Sequence, residues 1–315
     1  MTLRRYVVKR ALLTLPILFG VSVFTFALVK LLPGSVVDYI LQFQDATPAL
    51  RDRLAEQYHL DDPVWVQYLL WLRDAVTLQF GESLVSDRSV SAAVLGRLPE
   101  TLALGALGLL VALVVGIPTG VVAAVRKGDP ADEASRVVAL LGIATPNFWL
   151  GMLLILVFGV YLNVARVIPP LAPVYAPESL RFMLLPAVTL GTASAALLMR
   201  LTRSSMLEQL NEGYVRAARA RGLSERTVIV KHVLRNSLSA VVTVVALQVA
   251  FLVDGAVVVE QVFSWPGVGR LLVQAIHQRD VPVIQAVVLL IATAVVLANL
   301  VADVVYSVLD PRIRY

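Results

Sequence analysis

Asn211 to Leu238 reads NEGYVRAARARGLSERTVIVKHVLRNSL, and the reading of this stretch decides the fold. Six basic residues fall within it: Arg216, Arg219, Arg221, Arg226, Lys231 and Arg235. Apolar segments flank it on both sides, yet a run this charged is too costly to bury in hydrocarbon. It is therefore a water-facing loop between membrane segments. Its pattern predicts two short helices. Asn211 is the expected N-cap of the first, Gly222 stands where a left-handed residue would end it, and Ser224 is placed to cap the second. Ala217, Ala218 and Ala220 keep the first helix slim. A slim basic helix at a membrane surface suits insertion into an acidic groove of a partner. The plainer alternative is a positive-inside loop whose charges only set topology.

Working outward, the 315-residue chain is 58% hydrophobic. Several apolar runs of about 20 residues can each cross a hydrocarbon core of roughly 30 Å at about 1.5 Å per residue. The runs are continuous rather than alternating, which excludes a barrel and predicts an all-α polytopic membrane protein. Net charge is +5, with basic residues gathered in short loops, a topological signal rather than a nucleic-acid-binding one. There is no cysteine, which removes disulfides and thiolate chemistry.

Six membrane helices are expected. The first runs from about Lys9 to Leu32, behind Arg4, Arg5, Lys9 and Arg10, and stops at Pro33-Gly34 as an uncleaved helix. Residues 35–97 form an external insert, where Trp65, Tyr68 and Trp71 recur at helical spacing as an interfacial or core stripe rather than a ligand site. Helix two spans about Pro99 to Val125. Helix three spans about Arg136 to Val160 and is kinked at Pro146. Helix four begins near Phe182, and its small residues place it in the bundle interior. Helix five covers about Leu238 to Val262, and helix six about Val281 to Leu309. Basic residues concentrate in the loops assigned inside, so both termini are expected in the cytoplasm.

Enzymatic motifs are missing. No GxxxxGK[ST] phosphate loop, no HExxH pair and no G-x-S-x-G turn occurs, and His59, His232 and His277 stand apart from one another. No catalytic and no metal residue is assigned. Polar side chains inside the spans are the other candidates, because intramembrane acids usually face a bundle interior or a wet cavity. Gln248, Asp254, Glu260 and Trp265 are the candidate substrate-pathway residues. For Asp254 two readings stand: a pathway acid meeting a positive peptide amino end, or a buried acid bonded to a neighbouring helix. Structural roles are favoured for Glu260 and Asp303.

The run Tyr214 to Gly222 resembles the coupling loop of ABC-importer permeases in its dipeptide/oligopeptide/nickel branch. Arg216-Ala217-Ala218 followed by Gly222 is similar to the family's Glu-Ala-Ala, three residues, Gly pattern, with arginine in place of glutamate. Arg235 stands at a family proline and Ser35 at a common aspartate. Pro99 to Gly116, Thr145 to Phe158, Leu185 to Leu223, Gly255 to Gly269 and Asp303 to Arg314 look like further blocks of that family. The resemblance, to the first permease subunit of a peptide importer, implies a type I permease fold. Residues 98–309 would be its core, 200–237 its cytoplasmic coupling loop and 310–315 a cytoplasmic tail. It implies that Tyr214, Val215, Arg216, Ala217, Ala218, Arg219, Ala220, Arg221, Gly222, Leu223 and Ser224 contact an ATPase. It also implies a paralogous second permease, two cytoplasmic ATPase subunits that hold ATP and Mg, and an extracellular solute-binding protein. The surroundings are lipid of the cytoplasmic membrane, with no nucleic acid. Glu260 to Arg270 would be an element that reaches into the pore. Asp254 replaces a small family residue and inherits no role. Di- or oligopeptides are the implied cargo, with nickel chelates, glutathione or oligosaccharides as alternatives. A solitary secondary transporter and a membrane scaffold are the readings of another class.

Overall fold

The computed structural model describes residues 3–31, 61–86, 88–163 and 177–309. The expected stop at Pro33-Gly34, the insert up to residue 60 with His59, the proline-rich loop 164–176 and the tail 310–315 lie outside these. Among the described residues the chain is helical, and the one β-contact is an isolated bridge between Glu82 and Ser89. In chain order the helices are α1 (Leu3–Leu31), α2 (Val64–Val76), α3 (Val90–Val125), α4 (Pro130–Ala144), α5 (Asn147–Leu154), α6 (Pro177–Leu210), α7 (Gly213–Ala220), α8 (Glu225–Thr227), α9 (Arg235–Val262), α10 (Val268–Gln278) and α11 (Val281–Leu309). π-helical turns extend α5 through Tyr161 and join α8 to α9.

Among the described residues four helices are long and apolar enough to cross a membrane, and the pair α4 and α5, bent by 106° at its break, passes the same test jointly. That bend corrects the expected kink in helix three. Thr145 is extended, with φ −82° and ψ 121°, and Pro146 has no N–H to continue the ladder, so the helix is broken outright. The second helix also starts earlier than expected. Ser89 accepts the Ala92 N–H with its side chain, and Pro99 is taken into the interior of α3. Its 36 residues reach about 54 Å, well beyond a hydrocarbon core. The surplus first turns pack Val90 and Val94 against Val268, Ala275, Val283 and Val287.

The centre of the bundle is the α3–α6 pair. Gly108, Ala112, Gly116, Gly120 and Ala124 recur every four residues on α3, and all are buried. A Cβ on Gly116 would sit 2.5 Å from the Ala195 carbonyl oxygen, and one on Gly120 would sit 2.7 Å from that of Met199. From the facing side, a Cβ on Gly191 would lie 2.5 Å from the Gly108 carbonyl oxygen. Backbones this close exchange dispersion contacts along their length, the usual glue between helices in lipid. As expected from its small residues, α6 is the most buried of the four helices that are each long and apolar enough to span a membrane.

Three polar ties fix the remaining elements. Asp132 at the start of α4 receives two charge-assisted bonds from Arg203 of α6, at 2.6 and 2.8 Å, and the Gly128 N–H at 3.0 Å. Asp132 is buried while Arg203 keeps 21% of its side chain exposed, so losing Arg203, which strands the buried carboxylate, costs more than losing Asp132. Ser83 donates to buried Asp280, which also accepts the Leu84 N–H, tying the 81–89 turn to the link between α10 and α11. At the opposite end, Arg10 of α1 meets Asp303 of α11 at 3.3 Å, so the start of α1 and the end of α11 share one side of the bundle. The aromatic stripe divides. Tyr68 shares a 2.8 Å hydrogen bond with Ser22 and packs edge-on to Phe19 and Phe26, with Trp71 beside Phe26. Trp65 faces outward and is 66% exposed.

Candidate functional site

α6 runs two turns past Arg203, and α7 to α9 are built on that extension. Val215 and Ala218, three apart on α7, drop into a cluster with Ala124, Met206, Val228 and Val233. Val215, Met206, Val228 and Val233 are fully buried. The other face of α7 carries Arg216, Ala217, Arg219, Ala220 and Arg221 into solvent. The helix is thus clamped to the ends of α3 and α6 by two side chains and presents the rest.

Its ends are set by backbone geometry. The expected Asn211 cap is displaced: α7 starts after Glu212, and Asn211 instead donates its side-chain amide to the Leu207 carbonyl. At the other end Gly222 has φ +76°. Its N–H reaches the Arg219 carbonyl at 2.9 Å, and the Leu223 N–H reaches that of Ala218 at 3.4 Å. Those two bonds are the Schellman stop, which needs a left-handed residue and so favours glycine. Ser224 then caps the second helix as expected, accepting the Thr227 N–H at 3.4 Å.

Across this turn Arg219 grips both carboxylate oxygens of Glu225, at 3.1 and 2.6 Å, which holds the angle between α7 and α8. The Arg219 guanidinium keeps the Glu225 carboxyl below its ordinary value of 4.5, and Glu225 in turn raises Arg219. A depressed carboxylate stabilises the fold above its unfolded pKa and loses that contribution as pH falls through the folded value. Both groups are exposed, so the gain is small. Glu225→Gln is therefore expected to speed amide exchange in α7 modestly near neutral pH. The difference from the parent should vanish as pH falls below 4.5, and a difference that persists in acid would show that the pair does not hold the turn.

Of the four pathway candidates, the three with described side chains do not all converge. Gln248 is buried in α9, some three turns from Glu260, and the side chain of Asp254 falls outside the described set. Glu260 and Trp265 do meet, around Glu100 and Thr101 about three turns into α3. Glu260 has no exposed surface. It accepts the Thr101 hydroxyl at 2.6 Å and the Arg270 N–H at 2.9 Å. Thr101 in turn accepts the Val268 N–H at 2.8 Å, and the Trp265 indole donates to the Glu100 carbonyl at 3.0 Å. Phe263 and Trp265 fill the core beside Leu104 and Met183. A Cβ on Gly267 would overlap the Glu260 carboxylate, so the glycine makes room for it. Thr101, Glu100 and the Asp132–Arg203 pair were not legible in the sequence, because no local spacing marks a partner more than 70 residues away. The glycine stripe of α3 was missed as well, although small residues at i, i+4 on one helix are a signal that could have found it.

Two family models match. One, the binding-protein-dependent transport system inner membrane component, spans residues 116–315, and the N-terminal model of the same system spans 3–105. The chain belongs to this permease family. The permease is 40% identical over 314 residues to the oligopeptide transport system permease protein AppB of Bacillus subtilis, covering 98% of this chain and 99% of that one. It is 38% identical to the dipeptide transport system permease protein DppB of Escherichia coli K12, covering 99% of each chain. It is 42% identical to the E. coli K12 glutathione transport system permease protein GsiC, covering 98% of this chain and 99% of that one. In fold it is similar to a chain of the inward-facing MetNI methionine ABC transporter, with a TM-score of 0.56 at 20% identity over 69% of this chain and 96% of that one. The permease therefore has the type I ABC-importer fold and is a multi-pass, inner-membrane component of a binding-protein-dependent importer.

Proposed function

We propose that this permease is one half of a heterodimeric pore that imports di- or oligopeptides, and that α7 is its coupling helix. The observation that carries the reading is the clamped, outward-facing α7 at the ends of α3 and α6. A paralogous permease supplies the other half, two cytoplasmic ATPase subunits hold ATP and Mg, and an extracellular binding protein delivers cargo. This chain has no phosphate loop, so hydrolysis belongs to the ATPases. Six spans are proposed: α1, α3, the α4–α5 pair, α6, α9 and α11. Both termini and α7 face the cytoplasm, and the adjacency of Arg10 and Asp303 supports placing the termini on one side.

ATP binding closes the ATPases and moves α7. Because Val215 and Ala218 are packed on Met206 and Ala124, that displacement is delivered to α6 and α3 together. Their glycine-lined contact leaves no room for sliding, so the two helices turn as one body between inward-open and outward-open states. Nucleotide drives this only by favouring one state over the other. Glu260 and Trp265 act as anchors of the link from α9 to α10, since their polar atoms are engaged within the chain.

The cargo rests on the relatives named for oligopeptides, dipeptides and glutathione, the last itself a tripeptide. The test is ATPase activity of the assembled complex in nanodiscs, with its binding protein and a peptide library. Stimulation by particular peptides is expected. Stimulation by a metal chelate or a sugar alone would replace the cargo, and failure to bind any ATPase subunit would remove the coupling assignment.

A further inference from the structure

A cleft of about 640 Å³ opens between the end of α3 and the segment formed by α8 and the π-helical turn after it. Its walls are Val122, Val125, Ile229 and Val230, and its rim carries Arg126 and Arg226. Val122, Val125 and Val230 are each close to half exposed. Glu225, next in sequence to Arg226, is held on both oxygens by Arg219 and does not compensate the Arg226 charge.

We propose that this cleft binds an anionic phospholipid of the cytoplasmic leaflet. The inference rests on the reading that the α7 side of the permease faces the cytoplasm. Three features select this occupant. Valine and isoleucine walls offer nothing to a polar solute but accept an acyl chain. Arg126 directly follows the last residue of the apolar helix α3, at the end where that helix leaves the bilayer on the α7 side. Two arginines on one rim give the charge complementarity that a phosphodiester meets with paired hydrogen bonds. Because Arg226 sits in the segment that carries α7, an occupied cleft ties the coupling element to the end of α3 through the lipid. Anionic lipid would then raise the efficiency with which ATPase closure reaches the bundle.

The experiment uses the whole transporter with Arg126→Gln/Arg226→Gln, and with Arg73→Gln on the exposed face of α2 as control. Native mass spectrometry counts phosphatidylglycerol retained by each complex. Uptake is then compared in vesicles of phosphatidylcholine alone and of phosphatidylcholine doped with phosphatidylglycerol. At about 1 kcal/mol per arginine near the membrane surface, the double variant should bind phosphatidylglycerol on the order of thirtyfold more weakly. Its uptake should no longer respond to phosphatidylglycerol, while the parent and the control respond. Equal phosphatidylglycerol retention in parent and double variant would overturn the proposal. So would loss of ATPase subunits from the double variant in lipid-free detergent, because the cleft would then belong to the ATPase. If the parent itself held no ATPase, the coupling reading would fall, while the retention count would still decide the lipid site.

Discussion

Gly222→Pro should abolish ATP-driven uptake while leaving the membrane helices inserted and ATP hydrolysis running. Proline is confined to φ near −65°, whereas this residue has φ +76°. The substitution also deletes the N–H that reaches the Arg219 carbonyl, one of the two bonds that stop α7. Nothing lies within 4 Å of a Cβ built here, so the effect is conformational and not a clash. Gly222→Ala then serves as a graded control, costing about 1–2 kcal/mol for a left-handed alanine and lowering uptake only partly. Charge reversal separates two roles of the basic face. Arg219→Glu breaks the grip on Glu225 as well as changing the docking surface, whereas Arg216→Glu, on an exposed arginine, changes the surface alone. Both should uncouple, with uptake per ATP falling at least about tenfold, the equivalent of one strong charge pair. The measurement is uptake and hydrolysis side by side in proteoliposomes. Unchanged ratios in Gly222→Pro and in Arg216→Glu would remove the coupling role from this loop.

Gly116→Val should destabilise the bundle strongly, because it forces α3 and α6 apart. The first added carbon would meet the Ala195 carbonyl at 2.5 Å and the Leu198 Cβ at 3.0 Å. Both belong to a buried helix whose backbone cannot yield locally, so α3 and α6 must separate. Overpacking of this kind costs typically about 1–3 kcal/mol, and the long shared contact puts this site at the upper end. Gly105, on the same helix, has nothing within 4 Å of a built Cβ, so Gly105→Ala isolates backbone propensity. It should hold or slightly raise the melting temperature, because alanine favours the helix by up to about 1 kcal/mol. Thermal unfolding in nanodiscs, followed by size exclusion, distinguishes the two. Equal melting of both variants would mean that the α3–α6 contact is not close-packed.

Much of this permease was fixed by local chemistry. Continuous apolar runs in a chain without enzymatic motifs can only be membrane helices, and the density of arginine from Arg216 to Arg235 forces that segment into water. The stop at Gly222 and the cap at Ser224 are local devices with local signals, and both stand where the sequence put them. The displaced cap at Asn211 shows the limit of such signals: Asn211 bonds back to Leu207 as the helix before it ends, and Glu212 takes the boundary. Pro146 was visible as a disturbance. Whether it bends or breaks a helix depends on what receives the two halves, and here α4 packs on α6 while α5 turns away by 106°. The roles of Asp132 and Glu260 belong to tertiary structure alone. An acid near a membrane segment reads identically whether it lines a path or closes a tie. Arg203, 71 residues from Asp132, and Thr101, 159 residues from Glu260, make them ties. The reason is physical: a helix satisfies its backbone within itself, so the sequence announces each helix, while the partners of its buried side chains are chosen by packing at long range.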